Sequence, residues 1–201
     1  MAELIDHPCV QHKLALIRDV ETGHKRFREL ATEITKFICY EALKNIQTKE
    51  VLVQTPVAEA KCRKLDTDLV VVPILRAGVG MLEGILELVP TARVGFVGLY
   101  RDEGTKLPVT YYERFPQQIK GGTCIIIDPM LATGGSTAAA IDKLKESGAC
   151  LDQNVFGGTQ RQRALLKRRS CGSIEPTRVD RRRNYRSVIG FLKPRDTERG
   201  V

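Results

Sequence analysis

The sequence has 201 residues, 42% of them hydrophobic, which suits one globular domain with a sizeable core. Its net charge of +8 would suggest a polyanionic partner, but 13 basic and 5 acidic residues lie after position 150, while the first 150 residues carry 19 of each and are neutral. It has no apolar run of membrane-spanning length and no secretory signal pattern, so a cytoplasmic protein without membrane contact is expected.

Residues 27–42 are predicted to form an amphipathic helix, because apolar side chains recur there every three or four positions. A polar, Lys-rich connection follows. The apolar run Leu69–Leu75 is then short enough for a buried strand, with Pro73 near its end or at a bulge. Residues 76–80 form the loop after this strand.

The following part of the sequence continues the alternation of strands and helices. Residues 81–89 predict a short helix ended by Pro90, and residues 94–99 predict the next strand. The polar and Tyr-rich stretch 100–115 predicts a flap or hairpin over the sheet edge. A strand over 124–127 and a helix over 136–146 complete the series. Strands that alternate with helices predict an α/β fold, a parallel sheet flanked by helices with its ligand beyond the carboxyl ends of the strands.

The segment 124–136 is the main candidate site, because a buried strand passes there into an acid and a Gly-rich loop that opens a helix. A phosphate at residues 133–137 would take backbone N–H groups and the hydroxyls of Thr133 and Ser136, while Asp128 could accept hydrogen bonds from ribose hydroxyls. The loop lacks the Lys of an ATP-hydrolysing P-loop and the GxGxxG of a dinucleotide fold. The alternative is a tight turn with Ser136 as a helix N-cap.

Two arginines are predicted to reach the same edge of the sheet. Arg76 directly follows the strand Leu69–Leu75, so its guanidinium can be held in place to bind a diphosphate. Arg101 can close with the flap onto the same group. The alternatives are an ordinary surface arginine at position 76 and a solvated charge cluster around position 101.

Three motifs, VVPILRAGVGM, VGLYRDE and IIIDPMLATGGS, occur in an order and spacing that resemble uracil phosphoribosyltransferases, and the resemblance covers residues 7–148. It implies a type I phosphoribosyltransferase fold and transfer of the 5-phosphoribosyl group from phosphoribosyl diphosphate to uracil, giving uridine monophosphate and diphosphate in pyrimidine salvage. It also implies that Asp128 is catalytic and that the donor is bound by Arg76, Arg101, Asp128, Pro129, Met130, Leu131, Ala132, Thr133, Gly134, Gly135 and Ser136.

The same resemblance implies Mg²⁺ bound mainly through the donor, GTP as an allosteric activator, and a homo-oligomer. Related transferases often carry two adjacent acids at the strand tip, whereas Pro129 follows Asp128 here, as in the uracil branch. No metal-ligating residue is predicted in the protein itself, because the six cysteines stand singly and the three histidines lie far from the loop.

The resemblance divides the chain into a phosphoribosyltransferase-like domain over residues 1–150 and an Arg-rich segment over residues 151–201. Three hypotheses account for that segment: a divergent completion of the same domain, a shift of the reading frame near codon 150, or a nucleic-acid-binding tail. The family would place its uracil-binding residues in this segment, so none is assigned.

Two other functions are compatible with these observations. One is a regulatory RNA-binding protein on a transferase scaffold, which would use the Arg-rich segment. The other is a phosphoribosyltransferase that acts on a different base, since the donor loop is shared more widely than the uracil pocket. The principal prediction expects small-molecule substrates and no nucleic-acid partner.

Overall fold

The computed structural model describes residues 5–105, 107–130 and 134–149. Within these ranges the elements are α1 (Pro8–Arg18), α2 (His24–Leu43), β1 (Thr48–Gln54), β2 (Glu59–Leu65), β3 (Leu69–Leu75), α3 (Val79–Leu88), β4 (Arg93–Val94), β5 (Phe96–Arg101), β6 (Pro108–Arg114), a 3-10 turn (Gln117–Ile119), β7 (Thr123–Ile127) and α4 (Gly135–Glu146). The predicted segment 151–201, with all three hypotheses for it, lies outside the described residues.

The strand β3 is the centre of a five-stranded sheet. It pairs in parallel with β7 along Leu69–Pro73 and, on its other edge, with β4 and then β5. β4 and β5 pair with β3 in the same register. Gly95 lies between these two strands, and its N–H donates to the carbonyl of Val71 at 2.9 Å. β6 adds antiparallel to β5. The predicted α/β fold is therefore confirmed, although the sheet is mixed because the flap hairpin contributes its return strand.

Side chains of β3 alternate between two apolar layers, because successive residues of a strand point to opposite faces. Leu69 and Val71 belong to the layer that contains residues of α1, α2 and α3, whereas Val70 and Val72 belong to the layer that contains residues of α4. Strands buried on both faces read as continuous apolar runs. That property made β3 and β7 recognisable in the sequence.

The helix prediction over residues 27–42 is confirmed, since α2 spans His24–Leu43 with a buried face that includes Leu30 and Ile34. α1 was not predicted. It begins where His7 Nδ1 accepts a hydrogen bond from the N–H of Cys9 at 3.2 Å, and the His7 ring stacks on Phe37 of α2. This histidine therefore has a capping and packing role.

The polar connection before β3 holds a hairpin that the sequence analysis missed. β1 and β2 pair antiparallel, from Thr48 opposite Leu65 to Gln54 opposite Glu59. They form a two-stranded sheet of their own. Most residues of both strands are exposed, so the run carries no strong burial signal. Among the described residues, no helix is both long and apolar enough to cross a membrane.

Candidate functional site

The carboxyl ends of three parallel strands meet at one edge of the sheet, and a predicted site residue lies at or directly beyond each end. Pro73 of β3 lies opposite Ile127 of β7, and Leu75 of β3 lies opposite Gly98 of β5, which sets the register of these strands. Asp128 therefore lies one residue beyond β7, Arg76 lies one residue beyond β3, and Arg101 is the last residue of β5. The sheet topology thus brings all three to the same edge.

The loop after β3 packs closely on the end of β7. A Cβ atom at Gly78 would stand 2.4 Å from the carbonyl oxygen of Ile127 and 2.8 Å from the backbone nitrogen of Ile74. The N–H of Gly78 donates to the carbonyl of Ile74 at 2.9 Å, and the Leu75–Arg76 peptide bond is cis. Arg76 is exposed at the turn of this loop. The close approach at Gly78 thus fixes the position of the Arg76 backbone relative to Asp128.

Asp128 is half-buried where β7 ends, and burial raises the pKa of its carboxyl above the ordinary value of 3.8. One hydrogen bond opposes this effect, because the N–H of Met130 donates to Asp128 Oδ1 at 3.4 Å. A carboxylate that is partly desolvated and weakly bonded has acceptor capacity left for a ligand. The neighbouring Pro129 is half-buried and Met130 is exposed.

The helix α4 begins directly after this loop and presents its N-terminus to the same edge. Gly134 is the N-cap, has φ +79°, and contributes no side-chain cap. The first hydrogen bond of the helix runs from the N–H of Ala138 to the carbonyl of Gly134 at 2.9 Å, so the preceding N–H groups of Gly135, Ser136 and Thr137 have no acceptor inside the helix. Such groups favour an anion.

The alternative prediction of Ser136 as the N-cap is wrong, because Ser136 lies at the second position of α4 and Gly134 occupies the cap. A left-handed backbone conformation favours glycine there. The predicted donor-binding residues Leu131, Ala132 and Thr133 lie outside the described residues. Gly134, Gly135 and Ser136 are half-exposed at the helix start, where a ligand can reach them.

Thr137 ends the stretch 133–137 where a phosphate was predicted, but its hydroxyl was not among the predicted donors. It is 4% exposed, and its hydroxyl has no hydrogen-bond partner among the described residues. It begins the buried stripe of α4 that continues through Ala140, Ile141 and Leu144. A threonine at the head of an apolar stripe resembles a core position in a sequence, so only its lack of a partner reveals it.

The hairpin of β5 and β6 forms the predicted flap. Its turn is organised by Asp102, whose Oδ1 accepts from the N–H groups of Gly104 and Thr105 at 3.1 and 2.7 Å and from the Thr105 hydroxyl at 2.9 Å. The bonds from Thr105, followed by that from Gly104, hold the pKa of the Asp102 carboxyl below its usual value. Arg101 is exposed immediately before this turn.

The base of the flap is packed against the sheet and tied to α4. A Cβ atom at Gly98 would stand 2.6 Å from the ring of Tyr111, so glycine leaves room for this ring across the hairpin. Nζ of Lys143 in α4 also lies 3.7 Å from Oε2 of Glu113 in β6. The hairpin of β5 and β6 is therefore tied to α4.

Within the described ranges, no group of three or more His, Cys, Asp or Glu residues could hold a metal ion. Burial raises the pKa of the Cys39 thiol to about 11, which keeps it protonated. Cys9 is exposed and Cys62 is half-buried, both as thiols. Cys150 and Cys171 lie outside the described residues.

Comparison with known proteins gives a consistent result. The uracil phosphoribosyltransferase (UPRTase) family profile matches residues 4–156. The chain is 51% identical over 146 residues to the uracil phosphoribosyltransferase of Acholeplasma laidlawii, covering 73% of this chain and 70% of that protein. It is 53% identical over 149 residues to the same-named protein of Dictyoglomus thermophilum, covering 74% and 72%.

A solved structure has a similar fold. The chain is similar to a protein from Aquifex aeolicus with a TM-score of 0.69 and 38% sequence identity, covering 74% of this chain and 72% of that one. The family match ends at residue 156, close to the point where the composition becomes Arg-rich.

Proposed function

The chain belongs to the uracil phosphoribosyltransferase family, and we propose that the edge formed by Arg76, Asp128 and the start of α4 carries this family's reaction. The reaction transfers the 5-phosphoribosyl group from phosphoribosyl diphosphate to uracil and gives uridine monophosphate and diphosphate. One observation carries the proposal: the ends of β3, β5 and β7 and the N-terminus of α4 share one edge of the sheet. A donor with phosphate groups at both ends needs such a combined site.

The 5-phosphate of the donor binds at the start of α4. Backbone N–H groups of Gly135 and Ser136 point out of the helix there, and the left-handed Gly134 lets the chain turn tightly around the anion. The Ser136 hydroxyl adds a donor. Leu131, Ala132 and Thr133 are proposed to complete this loop on the strength of the family resemblance.

The diphosphate of the donor binds toward Arg76 and Arg101. A guanidinium forks onto two phosphate oxygens, which makes arginine a better partner for a diphosphate than lysine. Arg76 is positioned by the tight loop around Gly78, and Arg101 by the organised flap turn. As the bond to the ribose breaks, both side chains stabilise the negative charge that grows on the leaving group.

Mg²⁺ would reach the site on the donor, held by its diphosphate oxygens and water. Magnesium keeps several waters and needs few protein ligands when substrate phosphates are present, which fits an edge where Asp128 is the acid beside the phosphate loop. Bound there, the ion neutralises part of the diphosphate charge.

Asp128 binds the ribose. Its carboxylate accepts hydrogen bonds from ribose hydroxyls, and its negative charge stabilises the positive character that develops on the ribose ring when diphosphate departs. Partial burial strengthens both effects, because the field of a charge is screened less in a medium of lower dielectric constant. Pro129 and Met130 follow it in the chain and are proposed to contact the donor on the strength of the family resemblance.

Uracil attacks the anomeric carbon through N1 as the carbon–oxygen bond to the diphosphate breaks, and the N1 proton is released to solvent. Uracil is acidic enough to need little help from a general base, so a site without a nearby histidine is chemically sufficient. Closure of the hairpin of β5 and β6 over the site would exclude water, which competes with uracil as the nucleophile. No uracil-contacting residue is assigned.

The function is tested with the full chain, phosphoribosyl diphosphate, Mg²⁺ and one base at a time. Uracil should release diphosphate and form uridine monophosphate, while hypoxanthine and adenine should not. Diphosphate release with a purine instead would favour a transferase for another base. Salt-dependent retention of RNA without any uridine monophosphate would favour the RNA-binding alternative. GTP activation is tested in the same assay by adding GTP at limiting donor.

The chain is further proposed to form a homo-oligomer through the hairpin of β1 and β2. This hairpin exposes large apolar side chains, with Val57 95% exposed and Leu52 63% exposed. Exposed apolar surface on an isolated hairpin favours a protein partner. The double change Leu52→Lys and Val57→Lys should lower the mass measured by light scattering. Val20→Lys, at a valine between α1 and α2 that is 84% exposed, should leave the mass unchanged.

A cytoplasmic location is proposed as well. Cys9, Cys39 and Cys62 are unpaired thiols, and unpaired thiols are typical of a reducing compartment. Fractionation of cells that express the full chain tests this location, and recovery with secreted proteins would contradict it.

A further inference from the structure

Thr137 stands out because it is buried and yet its hydroxyl has no hydrogen-bond partner among the described residues. A buried hydroxyl without a partner destabilises a folded protein, so such groups are rare unless a ligand satisfies them. The other buried polar side chain in the described ranges is Thr35, whose hydroxyl donates to the carbonyl of Ala31 at 2.7 Å. Thr35 shows how a buried helical threonine is ordinarily satisfied.

Thr137 lies beside the proposed phosphate site at the start of α4. It is the third residue of α4, so it lies within the first turn, where the free N–H groups are. Side chains on a helix tilt toward its N-terminus, so Thr137 leans toward the edge with Asp128 and Gly134. The next buried residue of the stripe, Ala140, lies one turn deeper against the sheet.

We propose that the Thr137 hydroxyl donates a hydrogen bond to an oxygen of the donor's 5-phosphate, and so is a further donor-binding residue beyond the loop 128–136. The inference rests on the proposed function, because it requires a phosphate at the start of α4. Binding then pairs a hydroxyl that the free protein leaves unpaired. The free protein carries a destabilising group that becomes favourable only when the ligand is bound.

This proposal predicts opposite effects on stability and on binding. Thr137→Val keeps the shape of the side chain and removes the hydroxyl. Without ligand, urea unfolding should give a stability equal to or higher than that of the wild type. The dissociation constant for ribose 5-phosphate should rise about tenfold, since a hydrogen bond to a charged group is lost. Affinity for inorganic diphosphate, which binds toward Arg76, should not change.

Thr137→Ser and Thr137→Ala test the hydroxyl again with smaller side chains, because serine keeps the hydroxyl and alanine lacks it. Only the Ser variant should keep the affinity for ribose 5-phosphate. Thr35→Val is the matched control: it removes a satisfied hydroxyl, so it should lower stability and leave both affinities unchanged. Calorimetric titration of the full-length variants measures each affinity.

Two results would overturn the inference alone. One is a Thr137→Val protein that binds ribose 5-phosphate as tightly as the wild type does. The other is a Thr137→Val protein that is less stable and loses ribose 5-phosphate and diphosphate affinity equally, as a purely structural residue would. A wild-type chain that binds neither compound would instead overturn the proposed function, and the inference with it.

Discussion

Gly78 lies against the backbone of Ile127 so closely that a Cβ atom at position 78 would stand 2.4 Å from the Ile127 carbonyl oxygen. Gly78 belongs to the loop that carries Arg76, and Ile127 directly precedes Asp128. The backbone of Gly78 has φ −62° and ψ −22°, a conformation that any residue can adopt. Glycine is therefore needed here for space and not for conformational freedom.

Gly78→Ala should force the two loops apart. We expect it to lower the free energy of unfolding by about 1–3 kcal/mol, the usual cost of overpacking, and to weaken donor binding because Arg76 and Asp128 separate. Gly80→Ala is the matched control, since nothing lies within 4 Å of its added Cβ atom and alanine favours the helix α3. Urea unfolding and donor titration measure both effects. Equal behaviour of the two variants would contradict the close contact.

Asp128→Asn should separate the stability of the site from its function. The raised pKa of Asp128 means that its carboxyl binds a proton more tightly in the folded protein than in the unfolded chain. The contribution of this carboxyl to the free energy of unfolding therefore falls as the pH rises from 3.8 through the raised pKa. The Asn variant loses this dependence and should be at least as stable as the wild type at neutral pH. Its kcat/KM for uracil should fall about 100-fold because the charge near the ribose is lost.

Unfolding curves of Asp128→Asn and the wild type between pH 3 and 7 measure the first effect, and diphosphate release measures the second. A variant that is less stable than the wild type at neutral pH would show that ionised Asp128 stabilises the fold. Unchanged turnover would remove Asp128 from the proposed site.

Arg76→Ala should weaken the binding of inorganic diphosphate by at least about tenfold, since a guanidinium that forks onto two phosphate oxygens is lost. Ribose 5-phosphate should bind as before, because the start of α4 is unchanged. Arg93→Ala is the control: Arg93 is also exposed but begins β4, at the opposite edge of the sheet. Calorimetry with each compound distinguishes the two variants, and equal losses from both would indicate a general charge effect.

Asp102→Ala should loosen the flap turn, because one carboxyl oxygen accepts all three hydrogen bonds from Gly104 and Thr105. We expect a lower kcat and a larger share of donor lost to water, measured as diphosphate release without uracil. Glu103→Ala changes an acid in the same turn that accepts none of these bonds, and it should behave like the wild type. Equal rates of uracil-independent release in the two variants would contradict this role.

The lowered pKa of Asp102 gives the same turn a pH dependence. The ionised Asp102 carboxylate stabilises the turn fully at pH values above its ordinary pKa of 3.8. This stabilisation is lost as the pH falls through the lowered pKa. Amide hydrogen exchange of Gly104 and Thr105, followed as the pH is lowered, should therefore accelerate only in strongly acidic solution after correction for intrinsic exchange. Rapid exchange of both amides already at neutral pH would contradict the turn.

The sequence by itself determined the buried strands β3 and β7, the helix α2, and the order of the strand-end residues Arg76, Arg101 and Asp128. These features depend on local chemistry: apolar runs buried on both faces, helical periodicity, and glycines beside an acid. The same local signals, together with the motifs, identified the family.

Only the tertiary structure decided the remaining features. It placed the hairpin of β1 and β2, which has little burial to mark it, and it made the sheet mixed by adding β6. It also showed that Gly78 is required by the nearby Ile127 and that the hydroxyl of Thr137 is buried without a partner in the described ranges. Such relationships join residues far apart in the chain, or depend on the absence of a neighbour, and a pattern of residue types contains neither kind of information.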